Sequence, residues 1–175
     1  MNDLLNTMLH RRSIRQYTGE HIPEEQLQSV IQAGLLSASG RRLRPWELIV
    51  VRDRDTLEKL SDCREGAAKM LAGADCAIVV LGDLEKSDTI IEDCSIVMAN
   101  MHLMASSLEL GSCWIQGRMR NAPDGGTTEA YVRELLAIPE QYQLEAILSL
   151  GVPAKPAPAS DLGSLPYEKV HYDRF

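Results

Sequence analysis

The stretch between Ile96 and Ala105 constrains the fold more than any other part of the chain. On a helix it is apolar nearly all round, broken only by Asn100 and His102. A helix without a polar face has to be covered on several sides. The helical pattern around it begins at Ser87 or Asp88 and ends at Leu110, before Gly111, a helix-stopping residue. A chain of 175 residues builds one compact domain, whose sheet supplies one cover. The other then comes from a partner subunit. His102 reads as a core or interface histidine with one hydrogen bond, since no second metal ligand stands at helical spacing from it.

The remaining segments alternate between two periodicities. Residues 3–10 read as a short helix, and Pro23-Glu24-Glu25 opens a second that runs to about Leu36. Residues 46–51 read as a strand. Residues 53–71 carry helical patterning interrupted around Gly66. Residues 76–81 are apolar on both faces, which places them in the middle of a covered sheet. Further strands are read at 113–117 and 144–150, with a helix at 129–137 between them. Pro153, Pro156, Pro158 and Pro166 hold residues 152–175 as an extended tail. The tail either hangs free or lies along another surface, and Tyr167, Val170, Tyr172 and Phe175 give it apolar anchors for the second.

Aromatic residues make up 5% of the chain, so the core has to come from Leu, Ile, Val, Met and Ala. A net charge of -7 argues against sequence-independent nucleic-acid binding. The four cysteines form no C-x-x-C pair and have no zinc spacing with histidine, so buried reduced thiols are expected. No run of eighteen apolar residues occurs. These features lead to the expectation of a cytoplasmic protein with no metal and no membrane or nucleic-acid partner.

Against the acidic balance, arginines cluster at 11–15 and 41–44. Arg11-Arg12-Ser13-Ile14-Arg15-Gln16-Tyr17 holds three guanidinium groups and a serine within five positions. Arginine presents a fork of N–H donors matched to phosphate or carboxylate oxygens. The segment reads as a clamp for an anionic group, most plausibly a phosphate. On a helical turn Arg11 and Arg15 share a face and Arg12 points elsewhere. The alternative is a solvated basic face at a helix end.

Four separated pieces, in order, resemble the FMN-dependent nitroreductase family. The first is the 11–17 segment, with its basic, basic, serine, any, basic, any, aromatic pattern. The second is Ser39-Gly40-Arg41-Arg42-Leu43-Arg44-Pro45-Trp46, a serine followed by proline-tryptophan. The third is Leu110-Gly111-Ser112-Cys113-Trp114-Ile115-Gln116-Gly117, after the long helix. The fourth is Leu150-Gly151-Val152-Pro153-Ala154-Lys155-Pro156, a glycine-x-proline with a basic residue.

The resemblance implies an α+β fold: a mixed, mainly antiparallel central sheet flanked by helices, with the long helix at the interface of a homodimer. It makes 1–175 one nitroreductase-like domain whose tail, 152–175, reaches the partner. Each FMN is then touched by both subunits. Arg11, Arg12, Arg15 and Ser13 are implied to hold the phosphate, the ribityl chain and the pyrimidine edge, with Arg15 nearest the ring. Gln116 and Gly117 fall where backbone amides approach flavin N5, while Ser39 and Arg42 fall on the loop from the other subunit. Gly151 belongs to the closing turn, and for a missing tail cation either Lys155 substitutes or Arg11 and Arg12 suffice. The family commonly has asparagine at the position of Arg42 and glutamine at that of Arg44. It also has a lysine or arginine just before the proline now at Pro166.

The implied activity is NAD(P)H-driven, ping-pong reduction of a small organic acceptor such as a nitroaromatic or quinone. FMN is the cofactor, NADH or NADPH the reductant, and no side chain is required as catalyst. Two alternatives stay open: a flavin store or sensor without turnover, and a non-flavin phosphate- or anion-binding module.

Overall fold

Strand β2 (Cys76–Asp83) is buried along its whole length and divides the molecule into two apolar layers. Cys76, Ile78 and Val80 enter one core, Ala77, Val79 and Leu81 the other. This is the strict alternation of a strand covered on both faces. The computed structural model describes residues 2–175. In chain order its other main elements are α1 (Asp3–His10), α2 (Glu24–Leu35), β1 (Trp46–Val51), α3 (Arg54–Leu60), α4 (Ile90–Ser107), β3 (Gly111–Gln116), α5 (Thr128–Leu136) and β4 (Tyr142–Gly151).

The four strands lie in the order β1-β2-β4-β3, and every neighbouring pair is antiparallel. Among the described residues the expected mixed sheet therefore reduces to an antiparallel one plus a single parallel bridge, Ser13 to Ser112. The arginine segment supplies that bridge as it crosses the edge of β3. Helices α2 and α4 cover one face through Leu27, Val30, Val97, Met98 and Met101. The other face carries Leu57 and Leu60 of α3, Val132 of α5, and Leu71. Gly34 lets α2 approach α4 closely, since a Cβ there would lie 2.9 Å from Met101 Cγ.

The helix starts follow local chemistry. Asn2, Asp53 and Thr127 each accept a hydrogen bond from a backbone N–H of the turn that they cap. Helix α4 is shorter than expected at both ends. Its C-terminus is set by Glu109 in the left-handed region (φ 60°) and by the Leu110 N–H bonded to the Ala105 carbonyl at 2.9 Å. That is a Schellman ending with a non-glycine residue at its left-handed position. Gly111 instead opens β3, where a Cβ would lie 2.8 Å from Ile14 Cγ2.

Helix α4 buries Val97, Met98, Met101 and Ala105 against the sheet, while Ile96 remains 40% exposed. Around it lie exposed Leu4, Leu5 and Met8 of α1 and Leu35 and Leu36 at the end of α2. A shallow groove of about 240 Å³ runs between these helices, lined by Leu4, Ala33, Leu36, Leu103 and Met104 among others. The tail follows the chain's own N-terminal segment as far as Ser160, whose N–H bonds the Leu9 carbonyl at 2.7 Å. Beyond it, two short 3₁₀ turns leave Tyr167, Val170, Tyr172 and Phe175 exposed. Among the described residues no helix is long and apolar enough to cross a membrane.

Candidate active site

The arginine segment is extended rather than helical. The Ile14 N–H bonds the Ser112 carbonyl at 2.9 Å, and the Thr18 N–H bonds Val152 at 3.0 Å. Arg11 and Arg15 consequently do not share a helical face. These backbone bonds strap the segment across the ends of β3 and β4. Tyr17 fastens the strap: its hydroxyl donates to the Ile14 carbonyl at 2.8 Å and lies 2.7 Å from Ser149 Oγ. Burial raises the Tyr17 pKa above the usual phenol range, so it remains protonated.

Gly151 makes room for that ring. A Cβ at 151 would sit 2.7 Å from Tyr17 Cδ1 and 2.9 Å from its Cγ. Gly151→Ala is therefore expected to displace Tyr17 and the strap, at a cost of about 1–3 kcal/mol in a denaturant titration. An unchanged midpoint would show that the ring yields freely.

The three arginines have separate surroundings. Arg11 is half-buried, and its Nη1 donates to His102 Nε2 at 2.9 Å. Arg12 lines a cleft of about 430 Å³ together with Lys155, Ile14, Ser106, Ser107 and Ser112. Arg15 is exposed, with Nη1 3.3 Å from the Ser13 carbonyl, and Ser13 is exposed beside it. Among the described residues, ion pairs engage Arg41, Arg52, Arg118 and Arg133, but not Arg11, Arg12, Arg15 or Lys155. The segment thus concentrates uncompensated positive charge in an acidic protein, as an anion site requires.

The far end of β3 presents a second feature. The Gly117 N–H donates to the Glu145 carbonyl at 3.1 Å, so this amide is already used within the sheet. Antiparallel alternation then turns the Gln116 N–H away from β4 to the open edge. The outward Ser112 carbonyl, four pairs earlier, obeys the same alternation. Of the two amides expected near a ligand, Gln116 alone is available. Gly117 serves packing, since a Cβ there would lie 2.5 Å from Leu144 Cδ2.

Beneath Gln116 lies a polar group that sequence reasoning missed. Val80 pairs with Ala146 and Leu81 with Leu144, leaving Glu145 as the extra residue of a bulge. Its buried carboxylate accepts from Arg118 Nε at 3.2 Å and from Gln116 Nε2 at 3.3 Å. Trp114 Nε1 donates to Gln116 Oε1 at 2.8 Å. The only sequence signal was a charged residue, Glu145, inside a mainly apolar strand.

Ser39 and Arg42 are not brought to this place. Their loop is pinned near the start of α4, where buried Asp93 accepts the Gly40 N–H at 2.8 Å and exposed Asp88 pairs with Arg41 at 2.7 Å. Arg11 is tied to His102, nine residues further along α4, a rise of about 14 Å. Arg41, Arg42 and Arg44 all have left-handed φ values of 52°, 60° and 47°. Strain of this kind persists only where surrounding contacts hold it. Ser39 Oγ supplies one such contact by accepting the Arg44 N–H at 2.9 Å.

His102 makes two hydrogen bonds rather than one: it also contacts Ser112 Oγ through Nδ1. Burial first, and the Arg11 charge second, bring its pKa from 6.5 down to about 4. Between those values the unfolded chain binds the proton and the folded one does not. Stability therefore falls as pH drops through that window, by on the order of 2–3 kcal/mol from this group. His102→Gln is expected to flatten the drop by that amount in chemical denaturation series run from neutral to mildly acidic pH. Identical slopes for both proteins would contradict the assignment.

All four cysteines are free and buried. Burial pushes Cys63, Cys76 and Cys94 up to about 12, and raises Cys113 as well, so none is a ready nucleophile.

Comparison with known proteins agrees with this architecture. The nitroreductase family model matches residues 8–64 and 60–152. A solved FMN-dependent nitroreductase from Clostridium difficile R20291 superposes with a TM-score of 0.95 at 41% identity, covering 98% of this chain and 99% of its own. An Archaeoglobus fulgidus protein named NADH dehydrogenase/NAD(P)H nitroreductase is 35% identical over 162 residues, 87% of each chain. The NADPH-flavin oxidoreductase of Vibrio harveyi is 30% identical over 168 residues, 87% of this chain and 67% of its own. The chain belongs to the nitroreductase family.

Proposed function

We propose that the protein is an FMN-dependent oxidoreductase that takes reducing equivalents from NADH or NADPH and delivers them to a small organic acceptor. One observation carries the reading. Unpaired cations and the open Gln116 amide lie along one strand edge, separated by the spacing of a phosphate and a flavin ring. Ser112, in the cationic cleft, and Gln116 are four residues apart on β3, about 13 Å. A ribityl chain bridges a gap of that order. The donor set also fits: Arg12 and Lys155 line the cleft, Arg11 and Ser13 flank Arg12 in the chain, and these groups suit a phosphate as a backbone N–H suits a ring nitrogen. FMN supplies hydride chemistry when bound, and the family names of the relatives agree with that role.

The residues of this chain orient and polarise. Arg15, beside the strand edge, offers positive charge to the pyrimidine end of the ring, where reduction places negative charge. Glu145 and Trp114 fix the Gln116 side chain and leave its amide at the edge. No side chain has to move a proton to a substrate carbon.

The working unit is a homodimer. The groove and the exposed leucines around α4 form the face that a second copy covers. The partner's loop then brings Ser39 and Arg42 to the flavin, which a single chain keeps apart from Arg11. The tail, residues 152–175, lays its exposed aromatic anchors on that partner. Four buried thiols suit a reducing cytoplasm.

The test is anaerobic. The FMN-loaded protein is expected to lose its visible flavin band on addition of NADH or NADPH and to regain it with a quinone or nitroaromatic. Steady-state plots should be parallel, as ping-pong turnover requires. A protein that retains FMN but is not bleached would be a flavin store or sensor. One that takes up no FMN would be an anion-binding module.

A further inference from the structure

His102 joins three segments that packing alone would not need to join. It stands on α4, is 7% exposed, and contacts Arg11 of the N-terminal strap and Ser112 of β3. An apolar side chain would fill the same space without polar demands. A buried imidazole has two ring nitrogens that each need a partner, and here both have one.

The direction of these bonds is settled by chemistry. A guanidinium can only donate, so His102 Nε2 is the acceptor and its lone pair faces Arg11. The ring proton is then on Nδ1, donated to Ser112 Oγ. His102 is therefore neutral and in one tautomer. Ser112 holds both ends of the arrangement, because its carbonyl also accepts the Ile14 N–H at 2.9 Å.

The neutral partner matters. Arg52, Arg118 and Arg133 are held by the carboxylates of Asp75, Glu145 and Glu129, and their charge is largely compensated inside the fold. Arg11 is held by an acceptor that carries no charge. Its guanidinium is oriented, and part of its rotamer freedom is removed in advance, while its positive charge remains available to an external anion.

We infer that His102 is a positioning residue: by fixing Arg11 it sets the phosphate end of the cofactor site and makes the protein select phosphorylated flavin over riboflavin. This rests on the FMN reading above. It adds a reason for the histidine and a ligand preference that runs through it.

The experiment measures dissociation constants of the full-length apo-protein for FMN and for riboflavin, with unfolding midpoints recorded alongside. The wild type is compared with His102→Leu, His102→Gln, Arg11→Ala and the Arg11→Ala/His102→Leu double variant. His102→Leu should weaken FMN about tenfold, one charge-assisted hydrogen bond's worth, and leave riboflavin within about twofold. His102→Gln, which retains an acceptor, should recover most of the loss. In the Arg11→Ala background, His102→Leu should cost nothing further, because the two act through one contact. Ser112→Ala, a milder change, should repeat the FMN-only pattern at smaller size and decides the matter if His102→Leu does not fold. Equal losses for both flavins, or an undiminished effect of His102→Leu without Arg11, would overturn the inference. A wild type that binds neither flavin removes the FMN reading itself. A wild type that binds FMN, with an unchanged FMN-to-riboflavin ratio in the variants, overturns only the role of His102.

Discussion

Replacing Arg11 and Arg12 together by alanine is expected to weaken FMN binding by about a hundredfold or more, while riboflavin affinity changes by less than about threefold. Each guanidinium is expected to contribute a charge-assisted bond worth about 1.5–3 kcal/mol, and neither has a carboxylate partner among the described residues. Lys155→Ala should cost less, because Lys155 is exposed and its ammonium is a hydrated point charge. Arg15→Ala should behave differently. It should weaken both flavins and lower the flavin reduction potential, because the reduced ring loses its nearby cation. Two binding titrations and one potentiometric titration per variant separate these roles. Equal losses of FMN and riboflavin in every variant, at an unshifted potential, would show that the division into a phosphate end and a ring end is wrong.

The second large effect concerns assembly. Leu36 is 84% exposed and Ile96 40% exposed, so aspartate at both positions should scarcely disturb the isolated fold. In a dimer the same changes bury two charges per subunit without partners, which costs several kcal/mol. The double variant is expected to sediment as a folded monomer at micromolar concentration, where the wild type is expected to sediment as a dimer. FMN should be lost at the same time if, as proposed, the partner's loop supplies Ser39 and Arg42 to the site. Removal of residues 161–175 should weaken the dimer less, through loss of the exposed tail anchors alone. A variant that stays dimeric and retains FMN would place the subunit contact on another face.

What the sequence revealed depended on whether a feature is local. The apolar circumference of α4 was visible because periodicity alone displays it, as was the two-faced burial of β2. The end of α4 was misplaced by a few residues because Glu109 adopts the left-handed conformation that the rule assigns to glycine. Gly111 was present nearby for a different reason, its packing on Ile14. The arginine segment was legible as a cluster of cations from residue type, but its extended conformation was not. That conformation comes from backbone bonds to Ser112 and Val152, which lie more than ninety positions away. Glu145 could not be placed from sequence, since a bulge belongs to the pairing of two strands. The link between Arg11 and His102 was equally hidden, because it is made by tertiary packing between the strap and α4. The separation of Ser39 and Arg42 from Arg11 was anticipated only through the family resemblance; spacing along the chain carries no such information.

The central claim is that the strap and the β3 edge together form a flavin site whose cations read the phosphate. Calorimetric titration of the apo-protein with FMN and then, separately, with riboflavin tests it most directly. One flavin per chain, with FMN bound at least about tenfold more tightly than riboflavin, is the expected result. No uptake of either flavin, or equal affinity for the two, would contradict it.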